Sequence, residues 1–113
     1  MITNFEELTC PLSDKEIEAA KTLAKYFNTF CDGKDNAITS NEIYNWGSVD
    51  GIVISGPRLR KIINYIRREQ LVKNLIASQK GYYRSNDRKE IFRYKQSLQE
   101  RAAAILEVAD SFI

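Results

Sequence analysis

Histidine is missing from this chain of 113 residues. Its absence removes Ser-His-Asp and Cys-His nucleophilic catalysis, imidazole metal ligation and a histidine pH switch together. Cysteine is scarce. Cys10 and Cys31 are too few for a disulfide framework or a four-thiolate zinc site, and each reads as a small buried hydrophobe. No apolar run approaches the roughly 18 to 20 residues of a membrane span. The opening MITNFEELTCPLSD has early acids and no basic n-region, unlike a secretory signal. A cytoplasmic protein with no membrane partner is expected. The acids are scattered without a convergent pair and no glycine-rich phosphate loop exists, so neither enzyme activity nor a cofactor is expected.

The net charge of +2 hides a strong polarity. Residues 56–95 carry twelve basic side chains against three acidic ones, a local charge of +9, and the remainder of the chain is acidic at −7. Such a chain presents a basic face to an anionic partner, or pairs its two halves internally.

The length suggests one domain. Residues 1–12 read as an N-terminal arm, and residues 13–113 as a single unit. Ser13 and Glu16 form a capping box before a helix whose apolar stripe runs through Ile17, Ala20, Ala24, Phe27 and Cys31, with Leu23 and Phe30 beside it. CDGKDN, with Gly33, stops that helix. Residues 37–39 suit a short strand. Thr39 and Glu42 form a second capping box, opening a short helix through Ile43 and Trp46, with Trp46 in the core and Gly47 at the end. SVDGIVIS is a linker with some strand character. Leu75 to Ser78 and residues 82–85 read as an antiparallel hairpin broken at Gln79-Lys80-Gly81. One long helix, residues 86–112, closes the chain, capped near Ser85 or Asn86.

The helix in SGPRLRKIINYIRREQ, residues 55–70, carries the chemistry. Ser55 sits at the N-cap and Pro57 in the first turn. Leu59, Ile62, Ile63 and Ile66 follow i, i+3, i+4, i+7 and form one narrow stripe. Lys61, Asn64 and Arg68 point away from it, with Arg60 and Tyr65 on the shoulders and Arg58 and Arg67 at the edges. A solvated helix usually mixes signs, whereas here Glu69 alone neutralises the face. Arg and Lys reach guanine edges or phosphates, and Asn pairs with adenine.

The order helix, short capped helix, basic helix, hairpin over residues 38–84 resembles a winged helix-turn-helix domain. ITSNEI, SGPRLRKIINYIRRE and IASQKGYYRS are similar to the corresponding pieces of small phage and prophage winged-helix proteins. The resemblance implies a mainly α fold with a small β-hairpin (α+β), a long added C-terminal helix, and duplex DNA as partner. It implies groove contacts from Ser55, Arg58, Arg60, Lys61 and Asn64, with Arg67 and Arg68 on phosphate. Gln79, Lys80 and Arg84 would be wing contacts. The link 47–55 is longer than the tight turn this pattern expects. Regulation of transcription and phage DNA replication both fit, with a protein of either process as a further partner.

Other readings compete. The basic face also suits an acidic protein, which would make the chain an interaction module. Tyr82 and Tyr83 suit stacking on single-stranded bases, although strand alternation turns one of them inward. CDGKDNAITSNE echoes a calcium loop, but Cys31 and Gly33 stand where carboxylates belong, and no metal is expected. On the C-terminal helix, Ile91, Leu98, Ile105 and Phe112 recur every seven residues, with Tyr94 and Val108 as companions and Arg101 interrupting. That seam packs either on the first helix or against a second copy, and a homodimer through it is the favoured expectation.

Overall fold

The computed structural model describes residues 11–112, so most of the expected N-terminal arm lies outside the described residues. The architecture is α+β, as expected, mainly helical with one small antiparallel hairpin. The elements are α1 (Asp14–Phe30), a 3-10 turn (Lys34–Asn36), α2 (Ser40–Asn45), α3 (Gly56–Arg68), β1 (Leu75–Ser78), β2 (Gly81–Arg84) and α4 (Arg88–Asp110).

Both capping boxes form. The Ser13 N–H donates to Glu16 Oε1 at 3.0 Å while the Glu16 N–H donates to Ser13 Oγ at 3.2 Å. Thr39 and Glu42 repeat the arrangement at the start of α2. α1 buries Ala19, Ala20, Leu23, Ala24 and Phe27, and its alanines let α3 approach closely. α3 answers with Leu59, Ile62, Ile63 and Ile66, all buried. Each such side chain contributes roughly 1.5–3 kcal/mol by leaving water, so this contact fixes the pose of α3. Cys31 is buried at the C-cap of α1 rather than within it, and Phe30 is exposed.

α3 ends without glycine. Gln70 takes φ +58, its N–H donates to Arg67 C=O at 3.2 Å, and the Leu71 N–H donates to Ile66 C=O at 3.0 Å. This is a Schellman stop. The Asn28 side chain then donates to Leu71 C=O at 2.9 Å, tying the exit of α3 to α1.

In the hairpin Leu75 pairs with Arg84, Ile76 with Tyr83, Ala77 with Tyr82 and Ser78 with Gly81, which leaves Gln79 and Lys80 as the turn. β2 therefore starts at Gly81, one residue earlier than expected. The expected strand at 37–39 reduces to one antiparallel bridge. Ile38 and Tyr82 exchange bonds of 3.0 and 2.7 Å. β2 thus lies between β1 and the segment that links α1 to α2.

The long link before α3 is itself ordered. Asp50 and Gly51 both have positive φ, at +50 and +81, and Val49 and Ile52 exchange two backbone bonds around them. Positive φ at both centres marks a type I′ turn. Val49 and Ile54 are buried on either side of it, so the extra residues fold back and bring Ser55 to the start of α3.

Three expectations are corrected. Trp46, expected in the core, is 40% exposed. It caps the end of the six-residue α2, edge-on to Tyr26 at 4.9 Å between ring centres, because so short a helix turns only Ile43 fully inward. The last helix begins at Arg88, not at 86, because Asp87 accepts from the N–H groups of Lys89 and Glu90. Ser85 points inward and donates to Glu90 Oε1 at 2.6 Å. Of the two packings left open for the seam of α4, the one along α1 is not made, since Leu98, Ile105 and Phe112 are exposed.

Candidate nucleic-acid interface

The α3–α1 contact leaves one face of α3 in solvent. Arg60, Asn64 and Arg68 are exposed there at i, i+4 and i+8, so they line up along the helix. Lys61 and Tyr65 flank that line half-buried, and Ser55 stands exposed at the N-cap. The expected capping bond from the Ser55 side chain is not made.

Two arginines of the predicted face are held by the protein. Arg58 Nε donates to Glu16 Oε2 at 2.6 Å and Arg58 Nη2 donates to Glu16 Oε1 at 2.5 Å. This bidentate pair joins the first turns of α1 and α3. The Arg58 guanidinium holds the Glu16 carboxyl down at a pKa of about 2. Arg67 Nε donates to Leu75 C=O at 3.1 Å, and its Nη2 donates to Tyr94 OH at 3.0 Å. Its guanidinium also stands 5.6 Å from the centre of the Tyr94 ring. Arg67 therefore clamps α3, β1 and α4 together.

On the hairpin, Gln79 and Lys80 are exposed at the tip. Ser78 Oγ accepts from the Lys80 N–H at 3.1 Å and donates to Gly81 C=O at 3.3 Å, which shapes the turn. Arg84 stands at the other end of β2, opposite Leu75, with Asp32 at 3.5 Å. The fold separates it from Gln79 and Lys80. The tip borders Thr39, Ser40 and Asn41 across a shallow cleft. Ser40 and Asn41 thus join the candidate surface, and no feature of their spacing announces it.

The hairpin tyrosines are used inside. Tyr83 is buried and donates to Glu90 Oε2 at 2.9 Å, and burial pushes its hydroxyl up to about 12. Tyr82 is half-buried, with its ring 6.2 Å from that of Phe27. Burial likewise raises the Cys31 thiol to about 11, which keeps it protonated and unreactive near neutral pH. Among the described residues no group of three or more Cys, Asp or Glu gathers to hold a metal ion, and no helix is long and apolar enough to cross a membrane.

Of the predicted dimer residues, Ile91 is half-buried, whereas Leu98, Ile105 and Phe112 are exposed. Comparison with protein-family models, with curated proteins and with solved structures finds no match to this chain.

Proposed function

We propose that this chain is a winged helix-turn-helix protein of phage or prophage type that binds duplex DNA, with α3 as the recognition helix and the β1–β2 hairpin as the wing. One observation carries the reading: Arg60, Asn64 and Arg68 stand in line on the solvent face of a helix whose opposite face is wholly committed to the core. Element order supports it. A single bridge at Ile38 joins the segment between α1 and α2 to β2, and α2 and α3 precede the hairpin.

α3 has 13 residues, is about 20 Å long and, like any α-helix with its side chains, about 10–12 Å across, which fits a major groove roughly 12 Å wide. In that pose Arg60 and Asn64 reach base edges and Arg68 reaches phosphate. Lys80 and Gln79 contact the backbone from the hairpin tip. Arg58, Arg67 and Arg84 hold the protein together and support the surface from behind. Phosphate contacts supply most of the affinity and the base contacts the sequence preference. Transcriptional regulation and phage DNA replication are equally compatible with this chemistry.

Titration of the full chain against random-sequence duplex at two salt concentrations tests the reading. Binding that weakens steeply with salt is expected, and Arg60→Glu with Arg68→Glu should abolish it while the far-UV dichroism stays unchanged. Wild-type affinity in that double variant would remove α3 from the interface. No binding even at low salt would move the basic face to an acidic protein partner.

A further inference from the structure

The first half of α4 presents a face that its own domain leaves in solvent. Arg88, Lys89, Phe92, Arg93 and Gln96 stand at i, i+1, i+4, i+5 and i+8, one side of a helix, and all five are exposed. Between them Glu90, Ile91 and Tyr94 turn inward and are half-buried. Glu90 accepts from Tyr83 and Ser85, and Tyr94 accepts from Arg67, and these bonds fix which side of α4 is wet.

The fold itself makes no use of this face. Among the described residues, Arg88, Lys89 and Arg93 form no ion pair. Glu90, three positions before Arg93, is already taken up by Tyr83 and Ser85. Two cations in the first turn oppose the helix dipole, and Lys89 and Arg93 set like charges one turn apart. Both arrangements weaken an isolated helix, and both are relieved by an anionic partner. Phe92, 65% exposed, stands among these cations. It follows Ile91 directly, which turns it roughly 100° away from the Ile91–Leu98 seam, so a cover on that seam leaves Phe92 in water.

The ring narrows the choice of anion. A duplex offers this face its phosphates but keeps its bases stacked inside, out of reach of Phe92. A single strand offers both groups at every residue: a phosphate for the cations and an unstacked base for the ring. The patch is short. Arg88 to Gln96 spans about 12 Å, and the same side turns acidic at Glu100, which bounds the path of a polyanion.

We infer that this face of α4 binds single-stranded nucleic acid, with a base stacked on Phe92 and the flanking phosphates on Arg88, Lys89 and Arg93. Stacking accepts any base, so the site has little sequence preference. It is separate from α3 and does not rest on duplex recognition.

Fluorescence anisotropy of a labelled oligothymidylate, which forms no duplex, tests this with the full chain at low salt. The same titration in a chain carrying Arg60→Glu and Arg68→Glu removes any share of α3. Binding that weakens with salt is expected in both. Phe92→Ala should lower the affinity about tenfold, Phe92→Leu should do the same, and Phe92→Trp should keep it, because a ring and not apolar area is what stacks. Lys89→Glu with Arg93→Glu should abolish binding in the chain with the reversed α3. Affinity for duplex should be unchanged by Phe92→Ala, so the α3 reading and this one stand or fall separately. All these side chains are exposed, and far-UV dichroism of each variant should match the wild type. No binding of the oligothymidylate, binding indifferent to Phe92→Ala, or full affinity in Phe92→Leu would overturn the inference. Displacement of the oligonucleotide by an equal concentration of polyglutamate would overturn it too, and would give the face to an acidic protein.

Discussion

Glu16 holds two elements at once. It closes the capping box of α1 and accepts both prongs of Arg58 from α3. Its side chain is only 12% exposed, so leaving it unpaired is costly. Arg58→Ala should destabilise the fold by about 2 kcal/mol, seen as a lower urea midpoint at pH 7. The pH dependence has a defined sign. Arg58 chiefly, with the bonds from Ser13, lowers the Glu16 pKa from 4.5 to about 2, so the stabilisation is complete above the unfolded value and fades as pH falls from there toward 2. Glu16→Gln should therefore lag the wild type at pH 7 and draw level with it in acid. A gap that stays constant down to pH 2 would mean that the pairing is not what stabilises. Asn64 is the residue-scale test of specificity. Asn64→Ala should cost about 1–3 kcal/mol on the preferred sequence and almost nothing on random duplex, measured as the ratio of the two affinities.

At the element scale the hairpin hangs on one glycine. Gly81 has φ +118, and a Cβ there would run into the Ile38 carbonyl and the Thr39 nitrogen. The bridge that seats β2 against the α1–α2 segment passes through that point. Gly81→Ala should cost on the order of 2–3 kcal/mol and should speed hydrogen exchange at the Tyr82 amide before that of the α3 amides. Equal stability would show that the bridge moves aside freely. The same logic explains the link before α3. Its Asp-Gly pair is the recognised signal for a type I′ turn, and the turn absorbs the residues that otherwise push α3 out of place.

At the scale of the whole molecule, the +9 of residues 56–95 is partly spent within the fold. Arg58 pairs with Glu16 and Arg84 lies beside Asp32, and both acids come from outside that stretch. Arg60, Arg68 and Lys80 remain exposed on α3 and the hairpin tip. With Arg68 and Lys80 on phosphate, log K is expected to fall with log salt at a slope of roughly −1.8. Loss of the Arg68 charge should flatten it by about 1. A slope near zero would mean that this surface does not meet phosphate. The Cα radius of gyration, 15.1 Å, exceeds the value of about 13 Å for a compact chain of this size, as expected when α4 stands clear of the core from Lys95 onward.

Local signals in the sequence determined the elements. Caps, apolar spacing and turn residues act over three or four positions, so Ser13, Thr39 and the Leu59–Ile66 stripe mark α1, α2 and α3 without reference to packing. Periodicity also marked which face of α3 is wet. It left open which wet cations are free, because that depends on what a distant segment brings to them. Arg58 meets Glu16 across 42 positions and Arg67 meets Tyr94 across 27, and only the tertiary packing of α1, α3 and α4 makes those contacts. It likewise decided that its own domain covers the seam of α4 only in part, at Ile91 and Tyr94, since a heptad repeat does not state which surface it meets. The Schellman stop at Gln70 has no local signal for a related reason: without glycine, the left-handed residue is set by the partial burial of Leu71 and the bonds made around it.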